Sequence, residues 1–199
     1  MGQHIVLWSR VLVVAAAILV AAMLPASPAY AGPDQGQISL GFDIQRQILR
    51  GFQIAPVGLN LSGKDAALVG LGSYIVNTTG CNDCHTHPNW AAGGNPYLGQ
   101  PEQINTAEYL AGGREFTTPA GTFTSANITP DHYDRPAGLT LAGFLEVMHY
   151  GHDPRDPPGD LLQVMSWPLY RWKTDQELRA MYEYLTTIPS LPDNPNPGP

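Results

Sequence analysis

Residues 81–85 read Cys81-Asn82-Asp83-Cys84-His85, and this C-x-x-C-H stretch decides how the rest of the chain is interpreted. Two cysteines three positions apart lie on one side of a helical turn, where their sulfurs can reach two vinyl groups of a porphyrin and form thioethers. A histidine directly after the second cysteine then presents its imidazole to the iron from the same side. Because this spacing is typical of covalent haem attachment, Cys81, Cys84 and His85 are predicted to hold one haem c.

The first 31 residues have the pattern of an export signal. Arg10 precedes an apolar run from Val11 to Leu24, and Ala29-Tyr30-Ala31 forms a small-residue exit. This order predicts a secretory signal peptide (1–31) cleaved before Gly32. Left uncleaved, the segment would instead be a membrane anchor, although a spanning helix needs about 20 apolar residues. The chain is therefore expected to be periplasmic or secreted, and membrane-associated only if the signal is retained.

Export makes the cysteine count informative, since the chain has two cysteines and both belong to the motif. A disulfide is the usual expectation in an oxidising compartment, but a Cys81–Cys84 bridge would close a very small loop and stabilise little. A structural zinc site needs four nitrogen or sulfur ligands, and a second cysteine pair is missing. A metal-bound or disulfide-stapled interaction module therefore stands as the non-haem alternative.

Composition limits the range of partners and predicts long connections. Lys and Arg total 10 against 17 Asp and Glu, a net charge of −7, and the basic residues form no cluster, so no nucleic-acid partner is expected. The 21 Gly and 19 Pro predict a body with turn-rich loops. The predicted order is an N-terminal extension (32–60) with at most a turn or two of helix, one domain (61–188) and an extended, mobile Pro-rich tail (189–199).

Three helices can be placed from their caps and apolar periodicity. The first is predicted to begin at Ser62, with Asp65 closing a capping box, and its internal Gly70 and Gly72 indicate close approach of another helix. The second runs from Thr140 to a glycine stop at Gly151. The last begins at a Thr174–Glu177 capping box and ends before Pro189. Between Pro88 and Gly138 the pattern predicts irregular loops, with a short helix at 103–110 and a hairpin at 116–123.

The sixth iron ligand can be sought among methionines and histidines. Met148 and Met181 fall on the apolar stripes of their helices, which favours a core role. Met165 lies in a non-helical apolar loop after the motif, which makes it the predicted ligand. Ligation by His149 or His152, or an open position, are the alternatives.

Three further residues are predicted around the haem. A ligating imidazole needs an acceptor for its other N–H, and the carbonyl of Pro96 is a candidate. Arg114, as a charge-assisted donor, and Trp167 are candidates for contact with a propionate. The charged loop 153–160 is interpreted as solvated.

Over residues 62–188 the sequence resembles class I c-type cytochromes, especially the monohaem domains that serve bacterial periplasmic dehydrogenases. The matching segments are residues 81–85, Gly112-Gly113-Arg114, Asn127-Ile128-Thr129-Pro130-Asp131, 139–151 and 165–185. The resemblance implies an all-α fold whose first and last helices cross around the haem, with long irregular loops. It also implies His85 and Met165 as axial ligands, and Gly70 or Gly72 with Tyr74 packed against Tyr182 or Tyr184. The chain departs from the pattern at Ser166, where similar proteins have proline.

These features predict an electron carrier, or an electron-transfer subunit of a dehydrogenase complex, and not an enzyme. Its expected partners are a donor dehydrogenase, an acceptor oxidase or carrier, and the haem-attachment machinery. A haem enzyme or sensor with an open or displaceable sixth position is the alternative within haem chemistry.

Overall fold

The structure is a computed structural model that describes residues 35–198, with side chains described from residue 41. Within these residues it is mostly helical, which agrees in outline with the predicted all-α class, and it has one two-stranded hairpin. Six α-helices are present in this part of the chain: α1 (Gln35–Ile54), α2 (Ala66–Thr78), α3 (Cys81–His85), α4 (Leu141–Tyr150), α5 (Trp167–Tyr170) and α6 (Asp175–Leu185). The predicted signal peptide and its cleavage site lie outside the described residues.

The packing of α2 against α6 forms the centre of the core. Gly72 of α2 lies against the backbone of Ala180 and the Cβ of Tyr184, and a Cβ at this position would clash with the Ala180 carbonyl. The helices can approach this closely only because Gly72 has no side chain. The resemblance offered Gly70 or Gly72 for this contact, and the structure gives it to Gly72.

A buried polar network lies beside this helix contact. The hydroxyl of Tyr109 donates to Asn77 Oδ1 at 2.6 Å and lies 2.9 Å from the hydroxyl of Tyr184. Asn77 Nδ2 donates to the same Tyr184 hydroxyl at 3.3 Å and to the Ser73 carbonyl at 2.9 Å. Since these groups satisfy one another away from water, the network adds directional contacts to an otherwise apolar helix interface.

Helix α1 corrects the prediction of an extension with at most two helical turns, since it is 20 residues long. It packs on α2 through a pair of glycines: a Cβ at Gly51 would clash with the Gly70 carbonyl, and a Cβ at Gly70 would lie 2.7 Å from the Ile48 carbonyl. The hydroxyl of Ser73 also donates to the Gly51 carbonyl at 2.7 Å. Gly70 therefore serves a second helix contact, with α1, which agrees with the predicted close approach of another helix.

The helix ends agree with the predicted caps at two of three places. Thr140 caps α4, and Gly151 ends it in the left-handed conformation. Thr174 and Glu177 form the predicted capping box at α6. The Ser62 cap is wrong: Asp65 caps α2, because its Oδ1 accepts from the amides of Ala67 at 2.9 Å and Leu68 at 3.3 Å.

The long connection between α3 and α4 is irregular, as predicted, apart from a small hairpin. Strands β1 (Glu115–Thr118) and β2 (Gly121–Thr124) pair antiparallel, with Phe116 opposite Phe123. This confirms the predicted hairpin. The short helix predicted at 103–110 is reduced to one 3-10 turn, Thr106–Glu108.

The tail predicted to be mobile is instead bonded to the body. The amide of Leu191 donates to Thr129 Oγ1 at 3.1 Å, and the amide of Gly198 donates to the Gly113 carbonyl at 3.0 Å. Asn194, between them, is 9% exposed. The prolines keep the tail extended, while the residues between them supply hydrogen bonds that composition alone does not predict. No helix among the described residues is long and apolar enough to cross a membrane.

Candidate functional site

The C-x-x-C-H motif forms the short helix α3, which follows directly on α2. Gly80 makes the connection in the left-handed conformation, with φ of 83°. Cys81 is buried, Cys84 is partly buried, and both thiols are free. Burial raises the pKa of Cys81 to about 11 and also raises the pKa of Cys84, so in the unmodified chain both sulfurs are protonated thiols near neutral pH.

The imidazole of His85 is held in one tautomer. Its Nδ1 lies 2.7 Å from the carbonyl oxygen of Ala126. Because a carbonyl can only accept, Nδ1 carries the proton and Nε2 keeps a free lone pair. Burial lowers the pKa of His85, which favours the neutral imidazole, the form that can ligate a metal ion.

Pro96 does not occupy the place predicted for it, because Ala126 supplies the acceptor for His85. Pro96 opens a 3-10 turn, Pro96–Leu98, and its carbonyl accepts instead from the amide of Gly99 at 3.0 Å. The prediction was wrong because it took an acceptor near in sequence, whereas the acceptor comes from a loop 41 positions further along the chain.

One cavity of about 820 Å³ is lined by all four residues predicted to hold the haem, namely Cys81, Cys84, His85 and Met165. Apolar side chains from several helices line it too, namely Val76, Phe144, Val147, Met148, Met181 and Leu185. Its volume lies within the range of about 300–1,000 Å³ typical of cofactor and ligand sites. Apolar walls, two adjacent thiols and an imidazole with a free Nε2 are a donor set that fits a covalently bound haem.

All three methionines of the described chain line this cavity, but their surroundings differ. Met148 is 3% exposed and Met181 is 2% exposed, and both belong to the helix core. Met165 is partly buried and lies in the connection between α4 and α5. A loop residue can move its side chain without disturbing a helix, so Met165 remains the methionine best suited to act as a ligand.

The histidines considered as alternative ligands contact other groups. The two ring nitrogens of His149 lie 3.1 Å from the Arg171 carbonyl and 2.9 Å from Asp175 Oδ1. Nδ1 of His152 lies 3.1 Å from the carbonyl of Asp160. Neither histidine lines the cavity, and among the described residues no group of three or more His, Cys, Asp or Glu side chains is arranged to hold a metal ion.

Arg114 and Trp167 are not brought to the cavity wall. The Arg114 guanidinium donates to the carbonyl of Asp83 at 2.7 Å, so it braces α3 from outside. The indole of Trp167 donates to the Leu162 carbonyl at 3.1 Å and packs on Gly151. Their predicted contact with a propionate therefore gains no support from their positions.

The sequence argument missed several residues that do line the cavity. Phe116 and Phe123, opposite each other on the hairpin, both contribute to its wall. Alternation along the two strands could have placed them on one face. Arg155 and Lys173 also reach the cavity. Nothing in the charged loop 153–160 marks Arg155 as different from its neighbours, so no sequence signal was available for it.

Comparison with known proteins gives distant relatives of one kind. The chain is 32% identical over 120 residues to the cytochrome c subunit of alcohol dehydrogenase (quinone) from Gluconobacter oxydans, covering 60% of this chain and 21% of that protein. It is 30% identical over 119 residues to the cytochrome c subunit of gluconate 2-dehydrogenase from Pantoea cypripedii (59% and 22%). It is 26% identical over 126 residues to the fructose dehydrogenase cytochrome subunit of Gluconobacter japonicus (63% and 22%). No family model matches.

The chain spans about a fifth of the length of the curated relatives it matches. All three are cytochrome subunits of dehydrogenases, so the similarity supports a cytochrome c-type domain in this chain. It also agrees with the resemblance drawn from the motifs.

Proposed function

We propose that this chain is a class I c-type cytochrome that carries one haem, bonded through thioethers to Cys81 and Cys84, and transfers single electrons. His85 and Met165 are the proposed axial ligands. When bound, the haem supplies the one-electron couple of its iron, and methionine ligation raises the reduction potential. The proposal places the protein in the periplasm, between a donor dehydrogenase and an acceptor oxidase or carrier.

The observation that carries the proposal is the shared cavity. Two free thiols, the imidazole of His85 and the thioether of Met165 line the same apolar space. Cys81 and Cys84 are three residues apart in the short helix α3, and this spacing favours both sulfurs on one side of the turn, as thioether formation requires. A zinc site would need four converging ligands, and the described residues contain no group of three or more His, Cys, Asp or Glu side chains arranged to hold a metal ion.

The residues around the cavity have distinct roles in this proposal. The Ala126 carbonyl keeps the proton on Nδ1 of His85, which leaves Nε2 available and raises the basicity of the imidazole. The core side chains from α4 and α6 keep water from the cavity. The hairpin phenylalanines Phe116 and Phe123 cover a further part of its wall. A dry, apolar surrounding is one of the means by which a protein sets a reduction potential.

Covalent attachment is tested by expressing the full chain with an export and haem-attachment system. We expect a coloured product whose haem stain survives denaturing electrophoresis and whose mass includes one porphyrin. Cys81→Ser and Cys84→Ser should each reduce the stain, since each removes one thioether. A colourless, correctly exported product with free or disulfide-linked cysteines would overturn the proposal in favour of the interaction module.

Axial ligation can be tested with three matched substitutions, because three methionines line one cavity. All three substitutions to Leu change volume little, so Met148→Leu and Met181→Leu should each cost less than about 1.5 kcal/mol of stability, whereas Met165→Leu should cost more in the holoprotein because it also removes an iron ligand. Only Met165→Leu is expected to abolish the methionine-to-iron charge-transfer absorption of the oxidised protein. Loss of that band in one of the core variants alone would assign the ligand elsewhere.

The alternative within haem chemistry is an open or displaceable sixth position. It predicts that the wild-type protein lacks the charge-transfer band and that its reduced form binds carbon monoxide readily. For the carrier we expect the opposite: the band is present, and carbon monoxide binds well only to the Met165→Leu variant.

A further inference from the structure

The C-terminal segment Leu191–Gly198, here called the strap, is bonded to both stretches of chain that carry the His85–Ala126 hydrogen bond. The first anchor of the strap lies next to Ala126, whose carbonyl accepts the hydrogen bond. Asn127 Nδ2 donates to the Leu191 carbonyl at 2.8 Å, and the Leu191 amide donates to Thr129 Oγ1 at 3.1 Å. Asn127 Oδ1 in turn accepts from the Thr129 amide at 2.9 Å. The residue after Ala126 is thereby tied to the strap.

The second anchor of the strap lies next to His85, whose Nδ1 donates the hydrogen bond. Asn194 is buried, and its Nδ2 donates to the His87 carbonyl, two residues after His85. The Asn194 amide donates to the Ala111 carbonyl at 3.3 Å, and the neighbouring Gly112 amide donates to the carbonyl of His85 itself at 2.7 Å. This side of the strap therefore fixes the backbone that leaves the motif.

The third anchor bonds the end of the strap to the chain at Gly113 and Glu115. The amide of Gly198 donates to the Gly113 carbonyl at 3.0 Å, and the amide of Glu115 donates to the Gly198 carbonyl at 2.8 Å. A Cβ at Gly113 would lie 2.7 Å from the Cβ of Asn194, so strap and loop are in close contact here. The eight residues of the strap thus join the loop that contains Ala126 to the chain that follows His85.

We infer that the strap sets the separation between His85 Nδ1 and the Ala126 carbonyl, and that Asn127 and Asn194 are positioning residues for the imidazole. The inference rests on the proposed function, since His85 is taken as an iron ligand. A strong N–H···O bond makes the imidazole a more basic ligand and favours the oxidised iron. The loop is also bonded through the Ile128 amide to the Leu110 carbonyl at 2.9 Å, so loss of the strap should weaken the bond and not remove the loop.

The test compares holoproteins of the full chain carrying Asn194→Ala or Asn196→Ala, together with a chain that ends at Ser190. Asn196 is the matched control, because it is an exposed asparagine of the same strap whose neighbour Asn194 is buried. In Asn194→Ala and the shortened chain we expect the His85 Nδ1 proton to exchange with solvent about tenfold faster in the reduced protein. The reduction potential should rise in both and stay unchanged in Asn196→Ala.

A second control separates positioning from stability. Ser73→Ala removes the buried hydroxyl of α2 that donates to the Gly51 carbonyl of α1, and neither residue lines the cavity. It should lower the unfolding temperature without changing the potential or the exchange of the Nδ1 proton. If Asn194→Ala holds haem but has the wild-type potential and exchange rate, the strap inference fails alone. A wild-type chain that takes up no haem would overturn the proposed function and the strap together.

Discussion

The two parts of the molecule that enclose the cavity are held together in different ways. The helix pair, α2 and α6, is joined by close backbone packing at Gly72 and by the tyrosine–asparagine network beside it. The loop half, residues 86–138 with the strap, is joined by single hydrogen bonds between distant residues. His85 and Ala126 are 41 positions apart, Asn127 and Leu191 are 64 apart, and His87 and Asn194 are 107 apart.

This difference implies a division of tasks. The helix pair supplies part of the apolar wall and the closest backbone packing, so substitutions that disrupt it should unfold the protein. The loop half holds the proton of His85 and closes the site, so its failure should alter the site while the fold survives. Substitutions in the helix pair and in the loop half test this difference.

Gly72→Ala should have the largest effect. The new Cβ would clash with the Ala180 carbonyl, which belongs to the backbone and cannot move away by a change of rotamer. We therefore expect the free energy of unfolding to fall by about 3 kcal/mol, the upper end for overpacking. Gly41→Ala is the matched control, since Gly41 is also helical and has nothing within 4 Å of its Cβ position. It should raise stability by up to about 1 kcal/mol through helix propensity.

Urea unfolding of both variants, followed by helical circular dichroism, checks this pair. Equal stability of the Gly72 and Gly41 variants would mean that the helix pair is not the tightly packed centre that the backbone contacts indicate.

The same contrast explains how much of the fold could be read from the sequence. Helix α6 was placed correctly because its signals are local: Thr174 and Glu177 are three residues apart and bond each other. Gly72 was flagged because glycine inside a helix is costly without a packing reason. Helix α1 was missed because its Gly51 contact with α2 depends on a residue pair that no local pattern links.

The site divides in the same way. The C-x-x-C-H motif and Met165 could be singled out from spacing and from their loop or turn context, and the structure brings them to one cavity. The acceptor for His85 could not be found, because a backbone carbonyl has no sequence signature and Ala126 is held by long-range bonds. The strap was missed for a related reason: five prolines suggested mobility, while Asn194 between them makes the decisive contacts.

Tyr184→Phe should have an intermediate effect within the helix pair. Its hydroxyl accepts from Asn77 Nδ2 at 3.3 Å and lies 2.9 Å from the hydroxyl of Tyr109, and both tyrosines are fully buried. Removing it takes one hydrogen bond from Asn77 and one from Tyr109, each of which keeps another partner, so we expect a cost of about 1 kcal/mol. Tyr182→Phe removes a hydroxyl that donates to the Leu139 carbonyl at 3.0 Å in a partly exposed setting, and it should cost less. A larger loss for Tyr182→Phe in thermal unfolding would contradict the assignment of the network to the core.

The smallest expected effect belongs to the loop half, where Asp131 closes a turn. Its Oδ1 accepts from the amides of Tyr133 and Arg135, and its Oδ2 accepts from the Arg135 guanidinium at 2.7 Å. The hydrogen bonds from Arg135 lower the pKa of Asp131 to about 2. A depressed carboxyl pKa stabilises the folded state above the unfolded value of about 4, and this contribution disappears as the pH falls from about 4 to 2.

Asp131→Asn should therefore lower stability slightly at neutral pH and make acid unfolding less steep between pH 4 and pH 2. Asp134→Asn removes the same charge three residues away, from an exposed side chain, and controls for net charge. Acid titrations of the two holoproteins, followed by circular dichroism and by the haem absorption, give the comparison. Because the turn belongs to the loop half, the haem spectrum of Asp131→Asn should change at a higher pH than its helical signal does. Simultaneous loss of both signals would mean that the helix pair and the loop half unfold as one unit. The difference between them would then lie in their contacts and not in the order in which they unfold.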